Sequence, residues 1–161
     1  MGTETRMNDV LSQVSTTDDE LNAFFANTST TQQACDARAK ELTGTEVKPV
    51  EIQGISSYSV YAGQDLVIQF RLKAVELKPS MTALAKKIYG GLAPTTTFQG
   101  LLGVEIAGIP PNEDEQPPLA VYSMDRIHGV GCALFFAASP YPPNELRRHE
   151  FRETLIRDLA R

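Results

Sequence analysis

The sequence predicts an α+β fold: a five-stranded antiparallel sheet with one inserted helix, preceded by two helices and followed by one more. Three observations lead there. Between Val47 and Phe70 the apolar residues are β-branched or aromatic and come in short clusters divided by turn residues, as strands do. On both sides of that run, apolar residues recur at helical spacing. A further helical stripe, Pro79–Tyr89, interrupts the strand pattern before it resumes.

Residues 1–16 carry no periodic pattern and read as a disordered N-terminus. Residues 17–161 then form a single domain: a helical extension over 17–44, the sheet and its helix over 45–128, and a helical segment over 129–161. Thr17-Asp-Asp-Glu20 has the form of a capping box, a hydroxyl at the helix start and a carboxylate three residues on. Leu21, Phe24 and Phe25 follow on one face. A second helix opens at Thr30 or Thr31, with Cys35, Ala39 and Leu42 as its stripe and Gly44 as its stop.

Val47–Ile52, Tyr58–Tyr61 and Leu66–Phe70 are the first three strands. Gln53–Ser57 and Ala62–Asp65 connect them as short turns. Apolar and polar positions partly alternate in Val60–Gly63 and Gln69–Lys73, as in a sheet with one wet face. Pro79 starts the inserted helix; Met81, Leu84, Ala85 and Ile88 form its stripe, Lys86 and Lys87 point away, and Gly90-Gly91 ends it. Two more strands fall at Thr95–Val104 and Leu119–Met124, separated by the polar, proline-rich loop Gly108–Pro118. A last helix starts near Asn144 and carries Phe151, Leu155, Ile156 and Leu159 on one side.

With 161 residues, of which 42% are hydrophobic and 22% charged, the chain is long enough for one domain with its own core. The net charge of −5 and the scattered basic residues leave no footprint for nucleic acid. Lys86-Lys87 and Arg147-Arg148 read as solvated helix faces. No apolar run approaches the ~20 residues that span a bilayer, and the polar N-terminus is no secretory signal. Cys35 and Cys132 lie far apart with no CxxC spacing and sit among small and apolar residues, so both read as buried thiols in a cytoplasmic protein.

Three stretches carry a resemblance. Glu46–Gly63, then Leu66-Val-Ile-Gln-Phe-Arg-Leu72, then Tyr122-Ser-Met-Asp-Arg-Ile-His-Gly129 resemble the aminoglycoside-phosphotransferase-like (choline-kinase-like) proteins of filamentous fungi. The element order β-β-β-α-β-β is likewise that of a kinase-like N-lobe. The resemblance runs from about Asp18 to Arg161 and covers the first half of such a protein. The last helix also lacks a stop signal, so a chain cut short at Arg161 is the expectation.

The resemblance implies a fold in which ATP, carried with magnesium, lies against the sheet. Gly54, Ser56 and Ser57 would belong to the phosphate-covering loop, whose backbone amides can cradle anionic oxygens. That loop has one glycine and no GxGxxG, and an ordinary hairpin turn is the alternative. Arg71 would hold the α- and β-phosphates through its planar fork, with Lys73 as a substitute and Glu76 as a carboxylate partner. The alternative for Arg71 is a surface arginine on a sheet edge. Met124, Asp125 and Ile127 would line the hinge where adenine is read by backbone groups, and Gly129 would turn the chain after it. His128 reads as an exposed loop residue.

Phosphoryl transfer also needs a carboxylate near the acceptor hydroxyl and oxygen ligands for magnesium. The HGDxxxxN-type loop that supplies them in the family does not occur in this sequence. His128 and His149 have no Cys or Ser partner at a telling spacing, and Glu113-Asp114-Glu115 reads as a solvated loop tip. The expected function is therefore the nucleotide-binding lobe of a small-molecule kinase that phosphorylates a hydroxyl, inactive alone, with an exposed sheet face and last helix that favour self-association or a partner. Two alternatives stand beside it. One is a non-catalytic interaction module using Phe135-Phe136 and the Phe151/Leu155/Leu159 stripe. The other is a small secondary-metabolism enzyme whose pocket gathers Tyr58, Arg71 and Asp125.

Overall fold

The computed structural model describes residues 18–103, 116–129 and 146–159. Thr17, Cys132, Phe135-Phe136, the acidic loop tip, most of the proline-rich loop and the side chains of Phe151, Leu155 and Leu159 lie outside what is described. The fold is α+β. Four α-helices are described, α1 (Asp18–Phe25), α2 (Gln32–Thr43), α3 (Pro79–Tyr89) and α4 (Leu146–Leu159). The strands are β1 (Val47–Pro49), β2 (Ser57–Ala62), β3 (Leu66–Leu72), β4 (Thr96–Leu102) and β5 (Leu119–Asp125). Ser15–His128 forms one compact unit, and α4 belongs to a second.

The caps explain where α2 begins and ends. The Thr31 hydroxyl accepts from the Ala34 amide at 3.2 Å, satisfying one of the free donors of the first turn. Gly44 closes the helix at φ 66°, a left-handed conformation that a side chain would strain, and its amide donates to the Lys40 carbonyl. Cys35 and Ala39 then face inward, both fully buried.

The sheet is wholly antiparallel in the order β1-β2-β3-β5-β4. β1 is shorter than the Val47–Ile52 cluster suggests: Pro49 has no amide to donate, and after the Val50 amide reaches the Ser59 carbonyl the chain turns away. β4 carries a bulge between Phe98 and Gly100, which leaves Gln99 out of register and bonded to the Ser123 hydroxyl at 2.8 Å.

Residues directly opposite in antiparallel strands share a face. On the first face Tyr58, Phe70 and Val121 form one row and Val60 and Ile68 belong to the next. All five are fully buried, and with Leu119, Phe24, Cys35 and Ala39 they make the core between the sheet and the pair α1–α2. Each such large apolar side chain contributes roughly 1.5–3 kcal/mol. Tyr58 is the hub: its ring meets Phe25 edge-on at 5.3 Å and stacks with Phe70 at 6.2 Å. Its hydroxyl donates to Asp36 at 2.8 Å and accepts from Gln32 at 3.2 Å.

The second face is not simply wet, as partial alternation suggested. Ser57 and Ser59 are buried on it, because Gln69 reaches over to both hydroxyls, at 3.5 and 3.2 Å. Two other expectations change. The stripe of α3 packs on little: Met81, Leu84 and Ile88 are 60%, 47% and 60% exposed. Lys86 does not point away. Its ammonium donates to the Ala93 carbonyl at 2.8 Å and lies 3.9 Å from Asp125, tying the helix to the start of β4.

Candidate functional site

The second face of the sheet is built from three rows across β2, β3 and β5. Ser57 stands opposite Arg71, and Arg71 opposite Ala120. Ser59, Gln69 and Tyr122 form the middle row, and Tyr61, Val67 and Met124 the third. Polar side chains thus crowd one end of the face, and an aromatic and two apolar side chains the other. The two ends are four residues apart along β3, about 13 Å at the rise of a strand.

At the polar end the chain between β1 and β2 makes a tight turn, Gly54–Ser57. The Ser57 amide closes it onto the Gly54 carbonyl at 3.2 Å, and Gly54 and Ser57 bridge as an isolated antiparallel pair. A Cβ at position 54 would come within 2.7 Å of the Ser57 hydroxyl oxygen, so the turn needs glycine for close approach rather than for an unusual φ. The Ser56 carbonyl accepts from the Leu72 amide at 3.1 Å, which fastens the turn to β3 one residue beyond Arg71. Gln53 braces it from below, donating to the Val50 and Ser59 carbonyls and accepting from the Ser59 amide at 2.7 Å.

Arg71 lies on the central strand, not on an edge of the sheet. Its Nη1 donates to the Gln69 side-chain oxygen at 3.1 Å and its Nε to the Val75 carbonyl at 3.0 Å, so the guanidinium is held in place by neutral acceptors. None of the described ion pairs joins it to Glu76, which is exposed and precedes α3. Lys73 is not a neighbour on the strand: β3 ends at Leu72 and Lys73 opens a 3₁₀ turn.

The apolar end is closed by an arginine that follows β5. The Arg126 guanidinium carbon sits 4.0 Å from the centre of the Tyr61 ring, a cation–π contact, while its amide donates to the Asp65 carbonyl at 2.7 Å. Lys48 shares the row of Tyr61 and pairs with Glu51 at 3.1 Å. Burial works against the charge of Glu51, but hydrogen bonds from its own backbone and from Lys48, with Lys48 and Arg126 nearby, hold its carboxyl below the ordinary range.

Gly54, Ser56, Ser57 and Arg71 therefore come together at one end of the face, and Met124 stands in the row at the other. Asp125 is not in that row. At the strand end it turns to the Thr95 amide, 3.0 Å away, and to Lys86. Ile127 lies past the strand and is 43% exposed. Tyr58, Arg71 and Asp125 do not converge, since the Tyr58 hydroxyl is spent on Asp36 and Gln32 beneath α2. His128 is exposed, 3.7 Å from Asp65. Ser59, Gln69, Tyr61 and Arg126 were not singled out from sequence. Gln69 was within reach, because it sits two residues from Arg71 and so on the same face; the Tyr61–Arg126 contact depends on strand register.

Among the described residues no group of three His, Cys, Asp or Glu side chains could hold a metal ion. What the face offers chemically is a guanidinium beside the Gly54–Ser57 turn at one end, a group able to bond an anion, and apolar side chains at the other. No family model, curated protein or solved structure matches the chain. No helix among the described residues is long and apolar enough to cross a membrane.

Proposed function

We propose that this chain is the nucleotide-binding lobe of an aminoglycoside-phosphotransferase-like small-molecule kinase. The observation that carries the proposal is the polarity of the second face. A fixed arginine stands opposite Ser57, directly after a tight turn, and about 13 Å along the same strand lie Val67, Met124 and Tyr61. That is the reach from phosphates to a base. In this arrangement Arg71 holds phosphate oxygens through charge-assisted hydrogen bonds, the turn covers them, and the base rests on Val67 and Met124 with backbone groups after β5 reading its edge. The element order β-β-β-α-β-β supports the same assignment.

Magnesium would arrive bound to the phosphates, since the described residues supply no cluster of ligands for it. With no HGDxxxxN-type loop in the sequence, the proposal for this chain is binding of ATP and not transfer to the hydroxyl of a small molecule. A cytosolic setting, where ATP is plentiful, belongs to the same proposal. Thermal unfolding in rising Mg-ATP tests it. A ligand that binds only the folded chain adds about 2.7 kcal/mol at a hundred times its Kd, so the melting temperature should climb. The climb should vanish in Arg71→Ala. A folded protein whose melting ignores Mg-ATP contradicts the proposal.

One observation favours a second reading, a non-catalytic module that self-associates. Met81, Leu84 and Ile88 on α3, followed by Leu92 at 81% exposed, present an apolar stripe to solvent. Light scattering that reports a dimer of a chain blind to nucleotide would put this reading first.

A further inference from the structure

The two edges of the sheet are built differently. β1 closes one side with three residues, of which Lys48 is charged and Pro49 has no amide to give. Short length, lysine and proline all discourage another strand from pairing with an edge. β4 closes the other side with seven residues, Thr96-Thr-Phe-Gln-Gly-Leu-Leu102, which include no charge and no proline. Among the described residues no strand pairs with its outer side. The bulge at Phe98–Gly100 leaves the stretch before it in regular register. The direction of the backbone groups there follows from the neighbouring strand. The Asp125 amide donates to the Thr95 carbonyl at 3.2 Å, and Thr96 stands opposite Met124. Bonded pairs alternate in an antiparallel ladder, so the amides and carbonyls of Thr96 and Phe98 point away from β5, to the open side. Thr97 is exposed between them, and Phe98 is 52% exposed although its ring lies 5.5 Å from that of Tyr122.

We infer that the open edge of β4 is a self-association surface, occupied by β4 of a second copy paired antiparallel about a two-fold axis at Thr97. In that register Thr96 of each copy stands opposite Phe98 of the other and exchanges backbone hydrogen bonds with it, while the Thr97 side chains meet at the axis. Threonine beside threonine, and an aromatic beside a β-branched residue, are favourable cross-strand pairs. The strand is uncharged, so the two-fold brings no like charges together within it. The joined sheet has a copy of β1 at each outer edge, so assembly stops at the dimer. A contact of this size falls below about 1,200 Å² in total, the class of weak pairs that form and separate with concentration. The inference rests on the self-association reading, but places the contact on β4 rather than on the α3 stripe.

Sedimentation velocity reads the dimer directly, and the native chain should pass from monomer to dimer across roughly 5–500 µM. Thr97→Lys, at an exposed position, sets two ammonium groups at the axis. It should weaken the dimer roughly ten-fold or more, while the melting temperature of the dilute protein stays near that of the native chain. Cysteine at the same position gives a second check. Non-bonded antiparallel partners have Cα atoms about 4.5 Å apart, within reach of a disulfide. Mild oxidation should therefore cross-link Thr97→Cys far faster than Gln64→Cys, an exposed control between β2 and β3. Equal cross-linking of the two variants overturns the inference. A dimer that survives in Thr97→Lys but is lost in Leu84→Glu with Ile88→Glu also overturns it and leaves the self-association reading standing. A native chain that stays monomeric throughout the range overturns both.

Discussion

Two residues where α2 packs on the sheet give the molecule an alkaline limit. Burial pushes the Cys35 thiol up to about 12, with the nearby Asp36 charge adding to the effect and a Thr30 hydrogen bond opposing it. Tyr58 is raised above the usual tyrosine range for the same first reason, burial, and then by Asp36. Both groups keep their protons in the folded chain where the unfolded chain would lose them. Their stabilising effect is complete below pH 9, the ordinary value of the thiol, and is lost as pH rises from there toward 12. Denaturant unfolding at a series of pH values should show that decline, and Cys35→Ala should flatten its first part; an unchanged slope would contradict the assignment. Asp125 works in the opposite direction. Hydrogen bonds from the Thr95 hydroxyl and amide hold its carboxyl below the ordinary range, so its contribution is present above about pH 4 and falls away in acid. Asp125→Asn should remove that acid-side dependence from the same unfolding series. None of these shifts is legible in the sequence, because each depends on which side chain the fold brings alongside.

Local signals specified the elements well and their packing poorly. Thr30 or Thr31 and Gly44 were readable as the ends of α2 because capping chemistry is local; the cap falls on Thr31, and substituting it or Gly44 should show this. Thr31→Ala should cost about 1 kcal/mol of stability in denaturant unfolding, and Gly44→Ala a comparable amount for forcing a side chain into positive φ. The hairpins around Gly54 and Gly63 were equally plain. Gly54→Ala is a sharper case: the added methyl meets the Ser57 hydroxyl, so it should open the turn and, if the turn covers phosphates as proposed, weaken Mg-ATP binding more than it lowers stability. Comparing its Kd for Mg-ATP with its denaturation midpoint separates the two effects. The apolar stripe of α3 was correctly placed on a helix, but periodicity says only that a face is apolar and not that anything covers it. Lys86 and Glu76 show the same gap. One is a charged residue in α3 and the other precedes it, yet Lys86 folds back onto Ala93 and Asp125 while Glu76 makes none of the described ion pairs.

For the molecule as a whole, the α+β class and the antiparallel sheet followed from period changes along the chain, whereas the rows of the second face needed the register of three strands. Arg71 was marked from sequence by resemblance; its opposition to Ser57 was not visible, since those residues meet only when β2 and β3 pair. The exposed stripe of α3 has a consequence at this scale. If it drives self-association, Leu84→Glu with Ile88→Glu should shift light scattering toward the monomer without lowering the melting temperature.

Amide mapping by NMR of the isotope-labelled chain tests most directly whether the second face holds a nucleotide. Mg-ATP should perturb Ile55, Ser56 and Arg71 at one end and Met124 and Arg126 at the other, while inorganic phosphate should move only the first group. Perturbations confined to α1 and α2, or none at all at saturating Mg-ATP, would contradict a nucleotide site on this face.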